Sequence, residues 1–173
     1  MAHSMVATGF GLLCLSESFN NSLMWGHYAT EHKGIMFEFN FETLPKNSNL
    51  YKSIKKVHYQ EEYPKMEYET LLGLDDSIFP ERSSDFMKTL TFTKQKAWEY
   101  EMEYRSFASN SALDEKKLSS IPKDCFTSIT LGCSMKQVEI NQTIELIKKH
   151  LPSCKLYLNK LSTESYTLNR TMI

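Results

Sequence analysis

Hydrophobic and polar positions change period several times along this chain, and the changes predict its elements. "FGLLCLS" (10–16) is a continuous apolar run bounded by Gly and Ser, which reads as a buried strand. "ESFNNS" follows as a turn and supplies Asn21 and Ser22 as helix N-cap candidates. A helix is expected from there to about Lys33, with Gly34 in the left-handed position past its end. "GIMFEFN" alternates, with Ile35, Phe37 and Phe39 on one face, so it reads as a second strand.

The middle of the chain is less regular. "ETLPKNSNLYKS" is turn-rich, "IKKVHYQ" (54–60) is a weak strand, and "MEYETLLGL" has a helical pattern broken by "DDSIFPERSS". Ser84 can cap a helix carrying Phe86, Leu90 and Ala97 at helical spacing. In "WEYEMEYR" the period becomes two. Trp98, Tyr100, Met102 and Tyr104 alternate with Glu99, Glu101, Glu103 and Arg105, which predicts a strand with its aromatic side in the core. "SNSALDEKKLSSIPKD" (109–124) reads as a loop and "CFTSITLG" (125–132) as a strand. "SMKQVEINQTIELIKKHLP" is the strongest helix pattern. Ile140, Ile144, Ile147 and Leu151 share one side, Ser134 is a cap candidate, and Pro152 closes it. "CKLYLNKLS" and "SYTLNRT" end the chain as strands. The expected fold is α+β (or α/β): one domain over residues 5–173, with a mixed, twisted sheet and packed helices. Residues 1–4 read as a leader foreign to the fold, with the native start at Met5.

Composition narrows the classes. The chain has 173 residues, with 20 Lys plus Arg against 21 Asp plus Glu, a net charge of −1. That balance supplies no field for nucleic acid, and no apolar run has the length of a membrane span. Cys14, Cys125, Cys133 and Cys154 include no CxxC pair and are expected to be unbridged; Cys14 and Cys154, in apolar runs, read as buried, reduced thiols, which makes a cytoplasmic setting the expectation. His27 and His32 are five apart, which misses the i, i+4 spacing of a helical zinc pair, so no metal centre is expected. Phosphate-binding and dinucleotide glycine fingerprints are absent.

Two stretches can carry chemistry. Glu101, Glu103 and Arg105 project to one side of the predicted strand "WEYEMEYR". Such residues form either a solvated, ion-paired sheet face or a carboxylate pair that orients a nucleophile and stabilises positive charge. "SLMWGHYATEH" places Trp25, His27 and Tyr28 together beside Gly26, a residue that costs about 1 kcal/mol in a helix interior. A core histidine and a Met24–Tyr28 packing pair would account for it, as would half of a polar site. A buried imidazole and phenol would need partners, and the acidic strand could supply them.

"LLCLSESFNNSLMWGHYATEHKGIMFEF", then "KQKAWEYEMEYRSF" and "ITLG", resemble domain of unknown function family 2971, found in bacteria and phages. The residues matching its pattern are Met24, Trp25, His27, Tyr28, Ala29, His32, Gly34, Lys96, Trp98, Tyr100, Glu101, Glu103, Tyr104 and Arg105. Against that pattern the chain reads as a short form or a fragment, without the N-terminal segment and its "FNDP"-like stretch. An early His-Tyr element followed by a Glu-x-Glu strand is also similar, part by part, to ADP-ribosyltransferases that use NAD. That likeness implies catalytic roles for Glu103, Glu101 and His27, ligand-binding roles for Trp25, Tyr28 and Arg105, and a nucleotide such as NAD as ligand. The alternative is a non-catalytic interaction or sensing module, defence-related, in which the same residues form a structural network. A metal-dependent nuclease ranks below both.

Overall fold

A computed structural model describes residues 10–65, 88–109 and 120–173. The fold is α+β, and the chain divides into two compact units. The first holds residues up to Glu17 and the span 53–117; the second holds 18–52 and the span from Leu118 to Ile173. The patterns "MEYETLLGL" and the Ser84 cap fall outside the described residues. No helix among the described residues is long and apolar enough to cross a membrane.

In the first unit, β1 (Phe10–Ser16) pairs antiparallel with β6 (Glu103–Ser109), and β3 (Lys55–Lys56) pairs antiparallel with the other edge of β6. The register sets Cys14 opposite Arg105 and Ser16 opposite Glu103. A second ribbon pairs β4 (His58–Gln60) in parallel with β5 (Thr93–Gln95). The weak strand expected over 54–60 is thus two short strands serving two sheets. Residues 88–92 are helical, and the chain then turns into β5, so the helical spacing drawn through Ala97 stops at Phe92.

The second unit has a four-stranded mixed sheet in the order β2 (Ile35–Phe39), β7 (Phe126–Leu131), β8 (Lys155–Leu161), β9 (Leu168–Met172). Strands β7 and β8 are parallel and the outer pairs antiparallel. A parallel pair needs a crossover, which the 14-residue helix Gln137–His150 supplies. With α1 (Ser22–Tyr28) and α2 (Asn49–Ser53) preceding it, this helix is α3. Its Ile140 and Ile147 pack on Ile129, Leu131 and Leu156, with Ile144 and Leu151 at the edge, as the helical spacing predicted. The N-cap differs from expectation. It is Lys136, whose backbone N–H is taken by Glu139 at 3.0 Å, and not Ser134.

The opposite sheet face carries α1. Asn21 caps it through Oδ1, which accepts from the N–H groups of Leu23 and Met24. Buried Trp25 packs with Ala29 and Leu168, flanked by Met36 and Cys133, and its indole donates to the Phe19 carbonyl at 2.9 Å. The helix ends at Tyr28, short of Lys33. Thr30, Glu31 and His32 then adopt three successive left-handed conformations, with φ of 49°, 53° and 66°. Gly34 has no positive φ, contrary to expectation. It is needed for space, because a Cβ there would lie 3.0 Å from the Ala29 backbone.

Candidate functional site: a buried ion cluster

The acidic stretch departs most from its sequence pattern. A continuous strand was expected over 98–105. Instead Lys96–Glu101 is a 3-10 helix, Met102 is left-handed at φ 47°, and strand β6 begins only at Glu103. The alternation fails on both of its sides: Glu99 is exposed while Glu101 and Glu103 are buried, and Met102 is exposed while Trp98, Tyr100 and Tyr104 are half-buried. Glu101 and Glu103 are 2% and 5% exposed, whereas Met102 is 42% exposed. The solvated-face reading is therefore corrected. So is the expectation that Met102 enters the core. Burial of the carboxylates is compensated by one cation of the same stretch and one from outside it, and period-two reasoning sees only the first.

Those charges are Lys94 and Arg105. Arg105 reaches back along its own strand, with Nε 2.7 Å from Glu103 Oε1 and Nη2 2.9 Å from Oε2, the bidentate fork that suits guanidinium to carboxylate. Its Nη1 donates to the Thr91 carbonyl. Lys94 Nζ bridges the two carboxylates, 3.1 Å from Glu103 Oε2 and in direct contact with Glu101, and lies 5.0 Å from the centre of the Trp98 ring. Backbone groups are also satisfied. The Glu103 N–H donates to Tyr59 Oη at 2.8 Å, and Ser16 Oγ donates to the Glu101 carbonyl at 2.6 Å. Sequence reasoning singled out Glu101, Glu103 and Arg105 but missed Lys94, Tyr59 and Thr91. Lys94 lies seven residues before Glu101 in a three-residue strand, and only the parallel pairing with β4 brings it there.

The ionisation equilibria follow from this geometry. Burial works to raise the Glu103 carboxyl, but hydrogen bonds from Arg105, Cys14 and Lys94 outweigh it and hold it below the ordinary value. Burial works to lower Lys94, and the bonds to Glu101 and Glu103 reverse the sign. Cys14 is exposed as a residue, against the expectation of a buried thiol, yet its thiol hydrogen-bonds to Glu103. Partial burial, then that bond and the carboxylate charge, push the thiol up to about 11. Cys125 is buried, and all four cysteines are free.

The helix residues stand in the other unit and in different surroundings. Trp25 is core. His27 and Tyr28 are exposed, Tyr28 by 63%, and their rings meet edge to face at 6.3 Å between centroids. They are not the buried imidazole and phenol whose need for partners suggested a meeting with the acidic strand. Gly26 has open space at its Cβ position, where the nearest atom is His32 Nε2 at 3.9 Å. No close approach requires a glycine there.

A cleft of about 230 Å³ borders the ion cluster, lined by Gln60, Tyr63, Pro64, Leu90, Thr93 and Lys94 among others. Glu101 and Glu103 are not among its lining residues. No group of three or more His, Cys, Asp or Glu among the described residues could hold a metal ion.

A family model described as a protein of unknown function, DUF2971, matches residues 24–106, a span that includes both α1 and the ion cluster. No curated protein and no solved structure matches the chain.

Proposed function

Because the chain belongs over residues 24–106 to the DUF2971 family, whose function is unknown, we propose a reading from the geometry: a non-catalytic sensing or interaction module in which Lys94, Glu101, Glu103 and Arg105 are scaffold. The observation that carries it is the saturation of Glu103. Both carboxylate oxygens are engaged by cations at 2.7 to 3.1 Å, on a residue 5% exposed. A carboxylate that takes a proton, orients a nucleophile or stabilises a developing cation must present an oxygen to the reacting atoms. The arrangement has two positive and two negative groups in mutual contact, which is the composition that makes a buried charged cluster tolerable. A cytoplasmic, bacterial or phage setting, with a role in defence, goes with this reading. The ADP-ribosyltransferase reading would need Glu103 to leave Arg105 and Lys94 when NAD binds.

Melting curves of wild type and Glu103→Gln, each with and without NAD, test the proposal. Scaffolding predicts no NAD-dependent shift in wild type and a large loss of stability in the variant. A wild-type shift with NAD that the variant loses at unchanged stability would establish the transferase reading instead.

A further inference from the structure

The second unit contains a different polar group, and it is unsatisfied. Thr130 is fully buried and Asn159 is 2% exposed. Thr130 Oγ1, both amide atoms of Asn159, and the buried Nδ1 of His32 have no hydrogen-bond partner in the protein. Buried polar groups are nearly always paired, so three residues of one unit left unpaired call for a cause.

Register brings them together. Thr130 is opposite Tyr157 and Met36, while Asn159 is opposite Arg170. Asn159 is two residues beyond Tyr157, so it shares the sheet face of Thr130. Leu131 pairs with Leu158, which sets Asn159 beside Gly132 one step on. At Gly132 a Cβ would fall 2.0 Å from the His32 carbonyl oxygen, so the His32 backbone crosses this same face. Helix α1 covers it, since Trp25 packs on Leu168 and Met36. The chain leaves α1 through the left-handed residues Thr30, Glu31 and His32, and positive φ at a β-branched threonine is strained. Strain of this kind is retained where the surroundings hold it, and it concentrates at binding sites.

We infer that Asn159, Thr130 and His32 form a binding site beneath α1 for a small uncharged ligand with adjacent donor and acceptor groups, a carboxamide or lactam edge. The unpaired Asn159 amide offers one donor and one acceptor side by side, which such an edge matches in two hydrogen bonds. Charge is excluded by compensation already in place. Arg170 and Glu38, on the same face, pair at 2.8 Å, and the guanidinium lies 4.3 Å from the Phe19 and Tyr157 rings. A charged ligand would lose its hydration without gaining a counter-ion. Entry requires the 29–32 turn to move. This site deepens the sensing reading, because a ligand beneath α1 couples binding to the position of that helix.

The test titrates benzamide and uracil, with benzoate as the charged isostere, into the isotopically labelled full chain. The Asn159 side-chain amide resonances and the melting temperature are followed. Benzamide or uracil is expected to move those resonances and raise the melting temperature by roughly 3–6 °C at ten times Kd. Benzoate should do neither, and Asn159→Leu, which has no side-chain amide to follow, should abolish the melting shift. If Asn159→Leu yields no folded protein, Thr130→Val replaces it, with the same loss expected. Wild type unmoved by every probe, as when ordered water alone occupies the site, overturns the inference. So does an equal response to benzoate, or a response that survives the variant. The outcome is separable from the Glu103 experiment. An NAD shift lost in Glu103→Gln defeats only the module reading, and silent probes at Asn159 defeat only this site.

Discussion

Arg105 Nε lies 2.7 Å from Glu103 Oε1 on the same strand, two residues away. Residues two apart on a strand share a face, so this pair is set by local geometry, and its burial then requires the second cation, Lys94. Glu103→Gln leaves the size of the side chain unchanged and removes the charge. We expect it to lower stability by about 1–3 kcal/mol, the usual cost of disrupting a buried charged hydrogen bond. Urea denaturation followed by circular dichroism measures it, and a variant within 0.5 kcal/mol of wild type (about the size of an ordinary surface substitution) would contradict the scaffold role.

The same cluster sets an acid limit. Glu103 and Glu38 both have carboxyls below the ordinary value of 4.5, each because hydrogen bonds from cations and neighbours outweigh the burial that works to raise it. For a depressed acid the stabilisation is present above the unfolded value and is lost as pH falls through the folded one. Stability should therefore hold above pH 4.5 and decline below it. Glu103→Gln should flatten that decline, and an unchanged acid limb would remove Glu103 from its origin.

Cys14 is exposed by area but should react slowly. Its thiol is raised from 9.0 to about 11, so near neutral pH the thiolate is roughly a hundredfold scarcer than for an ordinary cysteine. The contribution to stability has the opposite sign from that of the carboxylates: it is complete below pH 9.0 and lost as pH rises through about 11. Iodoacetamide labelling resolved by peptide mass should show slow modification at Cys14 in wild type and faster modification in Glu103→Gln. Equal rates would contradict the thiol–carboxylate contact.

Two glycines should respond oppositely to alanine. Gly26 is helical, with its Cβ position 3.9 Å from the nearest outside atom, so Gly26→Ala should stabilise by up to about 1 kcal/mol. At Gly132 the added carbon would meet backbone at 2.0 Å, and Gly132→Ala should cost about 3 kcal/mol or prevent folding. Thermal melts of the two variants decide it; a destabilised Gly26→Ala would show that the glycine serves a close approach after all.

Met102 provides a backbone test. Its left-handed φ of 47° separates the 3-10 helix from β6, and its side chain is largely exposed. Met102→Gly should gain up to about 1 kcal/mol, since glycine adopts this conformation without the Cβ penalty. A loss of stability on denaturation would mean that the methionine side chain contributes packing.

Strand and helix patterns at the two ends of the chain were legible because their periods report burial directly. The α3 stripe of Ile140 and Ile147 and the apolar run of β7 have hydrophobic sides that face one core, and the structure packs them together. The pairing of Glu103 with Arg105 was legible for the same local reason, as strand spacing puts them on one side; Glu101, in the 3-10 helix, joins them through Lys94. Which side faced inward was not legible. Nothing in "WEYEMEYR" records that Lys94 will arrive from β5, that Tyr59 will accept the Glu103 N–H, or that Met102 will turn left-handed. The end of α1 was misread similarly: Gly34 signalled a left-handed cap, but the left-handed residues are Thr30, Glu31 and His32, held by contacts with Gly132 some hundred residues later. Periodicity is a property of neighbours in sequence. The sign of burial for a charged residue depends on counter-charges distant in sequence, and those exist only once the sheets have formed.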